Sequence, residues 1–330
     1  MICSRPRALV TGATGFIGKK LIEHLLKNQF LVRSLIRNQQ NTLHLPAKIE
    51  IIEGDLTKPD TLKGACANID IVFHLGGYAH AWEEGAKHHH AINFLGTQHI
   101  LQEAIGAKVK KFIFFSSVKA VADHEHYIDE SWDKQPNSPY GISKRQAEEL
   151  VLNAKNKGMH VCVLRPSLVY GPEWKGNLAV MLRAIDQGIF PPLPEMHNSR
   201  SMISVDDICQ AALLAANHPE ANGKVYFVTD GISYTTRQIY SLMCEALGKP
   251  IPYWHVPFWF FKLIAFIGDI GKKIFRRRMP FDSDALSKLF GSAYYNTTKI
   301  QRELGFHAIQ NLKSQLPEII YQHRKCNGHI

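Results

Sequence analysis

The stretch Thr11-Gly12-Ala13-Thr14-Gly15-Phe16-Ile17-Gly18 lies between two segments of different periodicity. The short apolar run 8–10 precedes it, and apolar residues at helical spacing follow it from Leu21 to Leu26. This order predicts a strand, a glycine turn and a helix. Glycines permit a tight turn and a close backbone approach, and the first N–H groups and dipole of the helix favour an anion. We therefore predict a dinucleotide site at this turn.

The first half of the chain alternates apolar runs with amphipathic segments, which predicts βαβ units and a parallel, doubly wound sheet of the Rossmann type. Predicted strands are 8–11, 31–36, 49–53, 70–75, 112–116 and 161–165, and predicted helices are 16–28, 58–67, 88–106 and 139–157. We expect an α/β dinucleotide-binding domain over 1–170, with return segments near 202–230. Residues 171–330 are expected to form mainly a smaller, largely helical substrate-binding cap.

Composition is typical of a soluble globular protein, with 45% hydrophobic and 21% charged residues among 330. Six cysteines without metal-ligand spacing indicate a reducing compartment, and we see no secretory leader, so we expect a cytoplasmic protein. The run 88–90 consists of three histidines at the start of a helical pattern. We interpret it as a solvated helix start, and we expect no metal site.

The formal net charge is +10, which suits nucleic acid, a membrane surface or an anionic substrate. We find no nucleic-acid motif. Much of the excess follows the apolar segment 258–269, at Lys272, Lys273 and 276–278. The segment is too short to span a bilayer, which takes about 20 apolar residues. Peripheral membrane contact through 258–278 and a helix that covers the substrate pocket both remain open.

Arg37 follows the second predicted strand, about 20 residues after the glycine turn, where dinucleotide folds place the residue that reads the ribose. An arginine there would pair with a 2′-phosphate and favour NADP(H), with NAD(H) as the alternative. Asp55 follows the third strand, where it could accept a hydrogen bond from the adenine amino group or cap a helix.

Tyr140 and Lys144 stand at i and i+4 and share one helix face. Ser138 and Pro139 are a good N-cap and first position for that helix. A tyrosine is a poor acid or base at neutral pH, since its reference pKa is about 10, and we expect the lysine cation to lower that pKa. Ser117 ends the fifth strand, where its hydroxyl can donate to the same substrate oxygen. This combination predicts proton transfer at the oxygen of a carbon that exchanges hydride.

The chain resembles the extended short-chain dehydrogenases/reductases of the NAD-dependent epimerase/dehydratase family. The motifs that carry the resemblance are TGATGFIG (11–18), Gly54-Asp55-Leu56, His74-Leu75-Gly76-Gly77, Ser116-Ser117, Tyr140 with Lys144, Arg165-Pro166, Tyr170-Gly171-Pro172 and Lys299 to Phe306. The resemblance covers most of the chain, and it specifies the superfamily better than the reaction.

The resemblance implies Ser117, Tyr140 and Lys144 as the catalytic triad. The implied cofactor residues are Gly12, Thr14, Gly15, Phe16, Ile17, Gly18, Arg37, Asp55, Leu56, Leu75, Gly76, Tyr140 and Lys144. It implies Asn177 and Arg200, together with Ser117, as contacts to a nucleotide-sugar substrate, because the segments 175–177 and 198–201 resemble those that hold the sugar diphosphate. Family members often pair through a four-helix bundle, which implies a homodimer through 88–106 and 139–157.

Two differences from the family's motifs narrow the range of reactions that we expect. Leu168 replaces a common asparagine, which removes a polar substrate contact. Val118 and Lys119 replace the acidic pair of dehydratases, and dehydration needs an acid and a base. With the segments 175–177 and 198–201, Arg37 and the helical C-terminal cap, the resemblance implies a 4-keto-sugar reductase of surface polysaccharide synthesis acting on a UDP-hexose or hexosamine. The alternatives are a 4-epimerase with retained NAD acting on a UDP-sugar or lipid-diphosphate-sugar, a hydroxysteroid-type dehydrogenase and a dinucleotide-sensing module.

Overall fold

The computed structural model describes residues 5–38, 45–79, 85–122, 127–174, 176–275, 279 and 281–326. Its strands are β1 Arg7–Thr11, β2 Leu31–Ile36, β3 Glu50–Glu53, β4 Ile71–His74, β5 Lys111–Phe115, β6 His160–Pro166, β7 Leu168–Tyr170, β8 Arg200–Ser204, β9 Lys224–Val228 and β10 Ser233–Tyr234. Seven of these form one sheet in the order β3-β2-β1-β4-β5-β6-β9. Every neighbouring pair in it is parallel. The predicted doubly wound Rossmann-type sheet is confirmed.

Helices cover both faces of this sheet, because successive residues of a strand point to opposite sides. The α-helices of the described residues are α1 Phe16–Lys27, α2 Gly85–His89, α3 Gly96–Gly106, α4 Pro139–Asn153, α5 Asn177–Asp186, α6 Val205–Asn217, α7 Thr236–Leu247, α8 Phe258–Phe275, α9 Ser283–Phe290, α10 Thr298–Leu304 and α11 Leu312–Cys326. Ala8 and Val10 of β1 pack in the core formed with α1, α6 and α10. Leu9 packs in the opposite core, with α3 and α4. The residues that line the ends of these strands are therefore held from both sides.

The predicted helix over 58–67 is wrong, because only the short 3-10 helix Pro59–Leu62 forms there. The buried Arg33 guanidinium explains the interruption. It donates to the carbonyl oxygens of Ala65 at 3.0 Å and Ala67 at 2.9 Å, which a continuing helix would use internally. Helix α3 also has an unexpected start, since residues His90–Leu95 form a π-helical turn between α2 and α3.

A second apolar core lies beyond β7, where α5, α7, α8, α9 and α11 pack around a small sheet of order β10-β8-β7. The chain returns from this region to the main sheet twice. Helix α6 packs on the first core and β9 extends the sheet next to β6. Residues 300–306 also pack there, through Ile300, Leu304 and Phe306. Among the described residues, no helix is long and apolar enough to cross a membrane.

Candidate active site

The glycine turn lies between β1 and α1 and packs directly against the end of β4. Gly12 has a φ of +69°, and a Cβ there would lie 2.9 Å from the nitrogen of Gly76. The first turn of α1 is not capped by a side chain, since Gly15 stands at its N-cap. Unpaired N–H groups at a helix start can bind an anion. The turn therefore has the backbone geometry expected of a diphosphate cradle.

A cavity of about 260 Å³ opens beside this turn, at the carboxyl ends of β4, β5 and β6. Predicted cofactor residues that line it are Gly12, Gly15, Phe16, Ile17, Gly18, Leu75, Tyr140 and Lys144. Thr14 lies exposed within the turn, and Leu56 packs against Gly76, where a Cβ would meet its Cδ1 at 2.6 Å. Ser116 also lines the cavity, and its buried hydroxyl has no hydrogen-bond partner among the described residues.

His74, at the end of β4, holds the segment after it in place through a chain of hydrogen bonds. The Thr97 hydroxyl donates to the carbonyl oxygen of Asn93 at 2.6 Å, so it accepts from Nε2 of His74 at 2.9 Å. Thr11 Oγ1 accepts from the N–H of Gly76 at 2.9 Å and donates to Nδ1 of His74 at 2.6 Å. Burial, with a smaller contribution from the Lys144 charge, lowers the pKa of His74 to about 3. The ring is therefore neutral, with its proton on Nε2.

Two of the three residues expected to be catalytic, Tyr140 and Lys144, line this cavity, and Ser117 follows the lining residue Ser116. Ser117 caps the short turn 118–120 after β5, and Tyr140 and Lys144 lie on α4. Ser117 lies close enough to the Tyr140 hydroxyl to lower the pKa of that phenol. Lys144 is 4% exposed, donates to the carbonyl oxygen of Phe115 at 2.8 Å and lies 4.5 Å from the ring centroid of Phe114. The predicted N-cap is confirmed, since Ser138 Oγ accepts from the N–H of Gly141 at 3.0 Å.

The pKa of Tyr140 differs from the sequence-based expectation. Burial raises this pKa above its ordinary value, and the nearby Ser117 hydroxyl offsets only part of the rise. Burial also lowers the pKa of Lys144 to about 8, against an opposing effect of Glu148. Desolvation disfavours the charged form of each group, the phenolate and the ammonium. Tyr140 is therefore a protonated phenol at neutral pH.

The sequence analysis missed a buried polar cluster that joins the end of β4 to α4. Asn93, fully buried in the π-helical turn, accepts from the N–H of Tyr78 at 2.7 Å and donates to Ser143 Oγ at 3.1 Å. The interpretation of 88–90 as solvated is wrong for His89, which is 3% exposed, with its ring centroid 5.5 Å from that of Tyr140. An asparagine within an apolar helical pattern was the available signal for this cluster. Among the described residues, no group of three or more His, Cys, Asp or Glu side chains could hold a metal ion.

A buried ion pair fixes α4 to β6. Arg165 donates to Glu148 through two bonds, from Nε at 2.9 Å and from Nη2 at 2.7 Å, and both side chains are almost inaccessible to solvent. Bidentate arginine–carboxylate pairs are geometrically demanding. Glu148 lies one helical turn after Lys144, so this pair sets the rotation of α4 and with it the position of Tyr140.

Arg37 and Asp55 lie near each other at the ends of β2 and β3. The Asp55 carboxylate accepts from the N–H of Thr57 at 2.9 Å and from its hydroxyl at 2.8 Å, as in a turn cap. These bonds and the nearby charge of Arg37 hold the pKa of Asp55 below its ordinary value, against the opposing effect of burial. Arg37 is exposed, and the residues 39–44 that follow lie outside the described residues.

A second cavity, of about 470 Å³, lies in the C-terminal core and brings Asn177 and Arg200 together. Asn177 begins α5 and Arg200 begins β8, and the guanidinium of Arg200 donates to the carbonyl oxygen of Lys288. Leu168 lines the same cavity, two residues after Pro166, which lines the first. The two cavities therefore adjoin one continuous stretch of chain. Lys175, which precedes Asn177 in the predicted substrate segment, lies outside the described residues.

The first cavity has the backbone geometry and the polar group that a bound dinucleotide would use. The glycine turn leaves room for backbone contact with a diphosphate, and the unpaired hydroxyl of Ser116 lies in the cavity wall. Buried polar groups in proteins usually have a hydrogen-bond partner, so an unpaired one in a cavity indicates a ligand contact. The residues that would hold the dinucleotide are those of the turn together with Leu75, Tyr140 and Lys144.

Comparison with known proteins identifies the family to which the chain belongs. Residues 8–228 match the NAD dependent epimerase/dehydratase family. The chain belongs to this family. Its members include a UDP-glucose 4-epimerase of Vibrio cholerae, 29% identical over 92% of each chain. A Stigmatella aurantiaca ketoreductase of a farnesylated dihydroquinoline oxide is 30% identical over 91% of each chain. An Escherichia coli O157:H7 4-epimerase of N-acetylglucosaminyl-diphospho-undecaprenol is 28% identical over 93% of this chain and 92% of its own.

Solved structures of the family share the whole fold. The UDP-glucose 4-epimerase of Thermotoga maritima, solved with UDP-glucose, superposes with a TM-score of 0.79 at 23% identity, over 97% of this chain and 99% of that one. The chain is therefore an extended short-chain dehydrogenase/reductase and an NAD-dependent enzyme of the nucleotide-sugar epimerase, dehydratase and reductase group.

Proposed function

We propose that this enzyme reduces the C4 ketone of a sugar carried on a diphosphate, with NADPH as its reductant. The observation that carries the proposal is the half-buried phenol of Tyr140, which lines the cofactor cavity beside Lys144 and is protonated at neutral pH. Reduction of a ketone needs a proton donor at the oxygen, whereas oxidation of an alcohol needs a base. A phenol that is protonated at neutral pH can carry out the first task directly.

Each residue of the site has a defined part in this reaction. A reduced nicotinamide dinucleotide, when bound, would supply the hydride to C4. Tyr140 donates its proton to the carbonyl oxygen, and Ser117 holds that oxygen by a hydrogen bond. Lys144, charged below its pKa of about 8, stabilises the phenolate that Tyr140 becomes. His74, fixed as a neutral ring, positions the segment 75–76 of the cofactor cavity.

The second cavity is the proposed site of the sugar carrier. Arg200 offers a planar fork that suits a diphosphate, and Asn177 adds a neutral polar contact from the start of α5. The rest of the lining is largely apolar, with Leu168, Phe190 and Phe281 among its side chains. Our proposed substrate is a UDP-4-keto-6-deoxy-hexosamine in surface polysaccharide synthesis.

The proposed preference for NADPH rests on the exposed arginine at the end of β2. We expect Arg37→Asp to reverse it, with NADPH binding weakened about tenfold or more, because a charge-assisted bond to a 2′-phosphate is replaced by repulsion. Titration of NADPH and NADH into both proteins measures this. Arg302→Asp makes the same charge change at a side chain that is 77% exposed, on the surface of α10, and should leave both affinities unchanged. A preference for NADH in the unmodified protein would contradict the assignment.

A C4 epimerase with retained NAD is the second candidate, because two of the relatives above are 4-epimerases, one acting on UDP-glucose and one on a lipid-diphosphate sugar. The two reactions differ in the fate of the cofactor. A reductase must exchange its dinucleotide in every cycle, whereas an epimerase returns the hydride to the same sugar.

The distinguishing experiment combines denaturation of the purified protein with a turnover assay. We expect little released dinucleotide, and one NADPH consumed for each molecule of UDP-4-keto-6-deoxy-hexosamine. Absorbance of the reduced nicotinamide and mass analysis of the sugar measure both quantities. Interconversion of UDP-glucose and UDP-galactose, or of their N-acetylamino forms, without added cofactor would instead establish the epimerase.

A further inference from the structure

Helix α8 exposes an unusually large apolar surface. Nine large apolar side chains of this 18-residue helix are exposed, several of them by more than half. They are Trp259, Phe260, Leu263, Ile264, Phe266, Ile267, Ile270, Ile274 and Phe275. At about 100° per residue these positions cover roughly half of the helix circumference. We call this surface the α8 apolar face. A contiguous apolar patch of this kind marks a binding surface.

The side of α8 that contacts the rest of the protein is a different and narrower one. Phe261, Ala265, Gly268 and Gly271 are its buried residues. Phe261 packs edge-on against Phe290 of α9, with 5.1 Å between ring centroids. The small residues let Met279 and Phe281 approach closely, since a Cβ on Gly268 would meet the carbonyl of Phe281 and one on Gly271 would meet the Met279 side chain. Helix α8 is thus attached firmly along one stripe, and its apolar face points away from the core.

The α8 apolar face is not a pocket lid among the described residues. The second cavity is lined by Phe281 and by Ala285, Lys288 and Leu289 of α9, and no residue of α8 is among its lining. This disfavours the cap-helix interpretation left open by the sequence. Because α9 lies directly between α8 and that cavity, whatever binds the α8 apolar face is held next to the substrate site.

Charge beside the α8 apolar face is positive. Helix α8 carries Lys262, Lys272 and Lys273 but a single acidic residue, Asp269, whose carboxylate accepts hydrogen bonds from the backbone and hydroxyl of Ser283. Three arginines at 276–278 follow in the sequence, outside the described residues. Two aromatic side chains just before the helix are also exposed, Tyr253 at 99% and Trp254 at 55%. Apolar area, interfacial aromatics and adjacent cations are the features of helices that lie in a membrane surface.

We propose that the α8 apolar face docks the enzyme on the surface of an anionic phospholipid bilayer. The side chains of the face would enter the boundary between headgroups and acyl chains, and the lysines of α8 would meet lipid phosphates. A second copy of the chain fits this face less well. Symmetric pairing brings like surfaces together, and each copy would present the same excess of positive charge to the other.

Vesicle flotation tests this docking without reference to catalysis. We expect the protein to float with vesicles that contain phosphatidylcholine and phosphatidylglycerol, weakly or not at all with phosphatidylcholine alone, and less as salt concentration rises. The double variant Ile267→Glu/Ile274→Glu should bind the anionic vesicles about tenfold or more weakly, because two carboxylates would have to enter the apolar layer. Both positions are exposed, so the variant should keep its melting temperature and its turnover of a water-soluble substrate.

The matched control is Ile309→Glu, which places the same charge on an isoleucine that is 71% exposed and lies outside α8. It should float like the unmodified protein. Flotation that the double variant leaves unchanged, or no flotation with anionic vesicles, would overturn the proposal. A dimer in solution that the double variant dissociates, without vesicle binding, would assign the α8 apolar face to a second copy instead. None of these outcomes depends on which sugar the enzyme reduces.

Discussion

Tyr140→Phe is expected to lower kcat by about 10²- to 10⁴-fold, the usual contribution of a positioned general acid. The substitution removes only the hydroxyl near Ser117, and the ring that packs beside His89 remains. Binding of the dinucleotide should therefore change little. Steady-state turnover and a fluorescence titration of the reduced cofactor measure the two effects separately.

The matched control for this prediction is Tyr294→Phe, which removes a phenol hydroxyl from a ring that packs at a tilt against Tyr127, outside both cavities. It should turn over at the rate of the unmodified enzyme. If Tyr140→Phe did the same, another group would have to supply the proton, and the assignment of the triad would fail.

Glu148→Gln is expected to lower the free energy of unfolding by about 3–5 kcal/mol, the usual result when one partner of a buried ion pair is removed. The change leaves the Arg165 guanidinium buried without its carboxylate. Turnover should also fall, because this pair fixes α4 to β6 and so positions Tyr140. The effect would be indirect, since the Glu148 carboxylate accepts these two hydrogen bonds from Arg165 and not from Tyr140 or Ser117.

Urea unfolding measures the effect, with Glu149→Gln as the control. Glu149 is the next residue on the same helix, but its carboxylate is 57% exposed and faces Arg145 at 3.3 Å. Exposed pairs of this kind contribute about 0–1 kcal/mol. Equal losses in the free energy of unfolding of the two variants would show that the buried ion pair stabilises the fold no more than the exposed one.

Local patterns in the sequence predicted much of the fold and identified the main residues of the candidate site. Alternating apolar runs placed the strands of the parallel sheet within about two residues, the usual uncertainty of element boundaries. Ser138 and Pro139 predicted the start of α4, because capping depends on residues close in sequence. The glycine turn, Ser117 and the Tyr140–Lys144 pair converge because the carboxyl ends of parallel strands share one edge of the sheet.

Features that depend on distant contacts could not be predicted in the same way. The helix expected over 58–67 is interrupted by Arg33, which stands on another strand. His89 is buried because the chain after β4 and helix α4 close around it. The raised pKa of Tyr140 likewise depends on how completely the surrounding chain excludes water, which the spacing of Tyr140 and Lys144 does not specify.

Isotope transfer tests the central claim, reduction at C4 by an exchangeable cofactor, most directly. The enzyme would be incubated with NADPH that carries deuterium at the transferable position of the nicotinamide and with a UDP-4-keto-6-deoxy-hexosamine, and the product examined by mass spectrometry and NMR. We predict one deuterium at C4 of every product molecule and one NADPH consumed for each. A C4-inverted sugar formed without deuterium and without consumption of NADPH would contradict reduction and establish epimerisation with a retained cofactor.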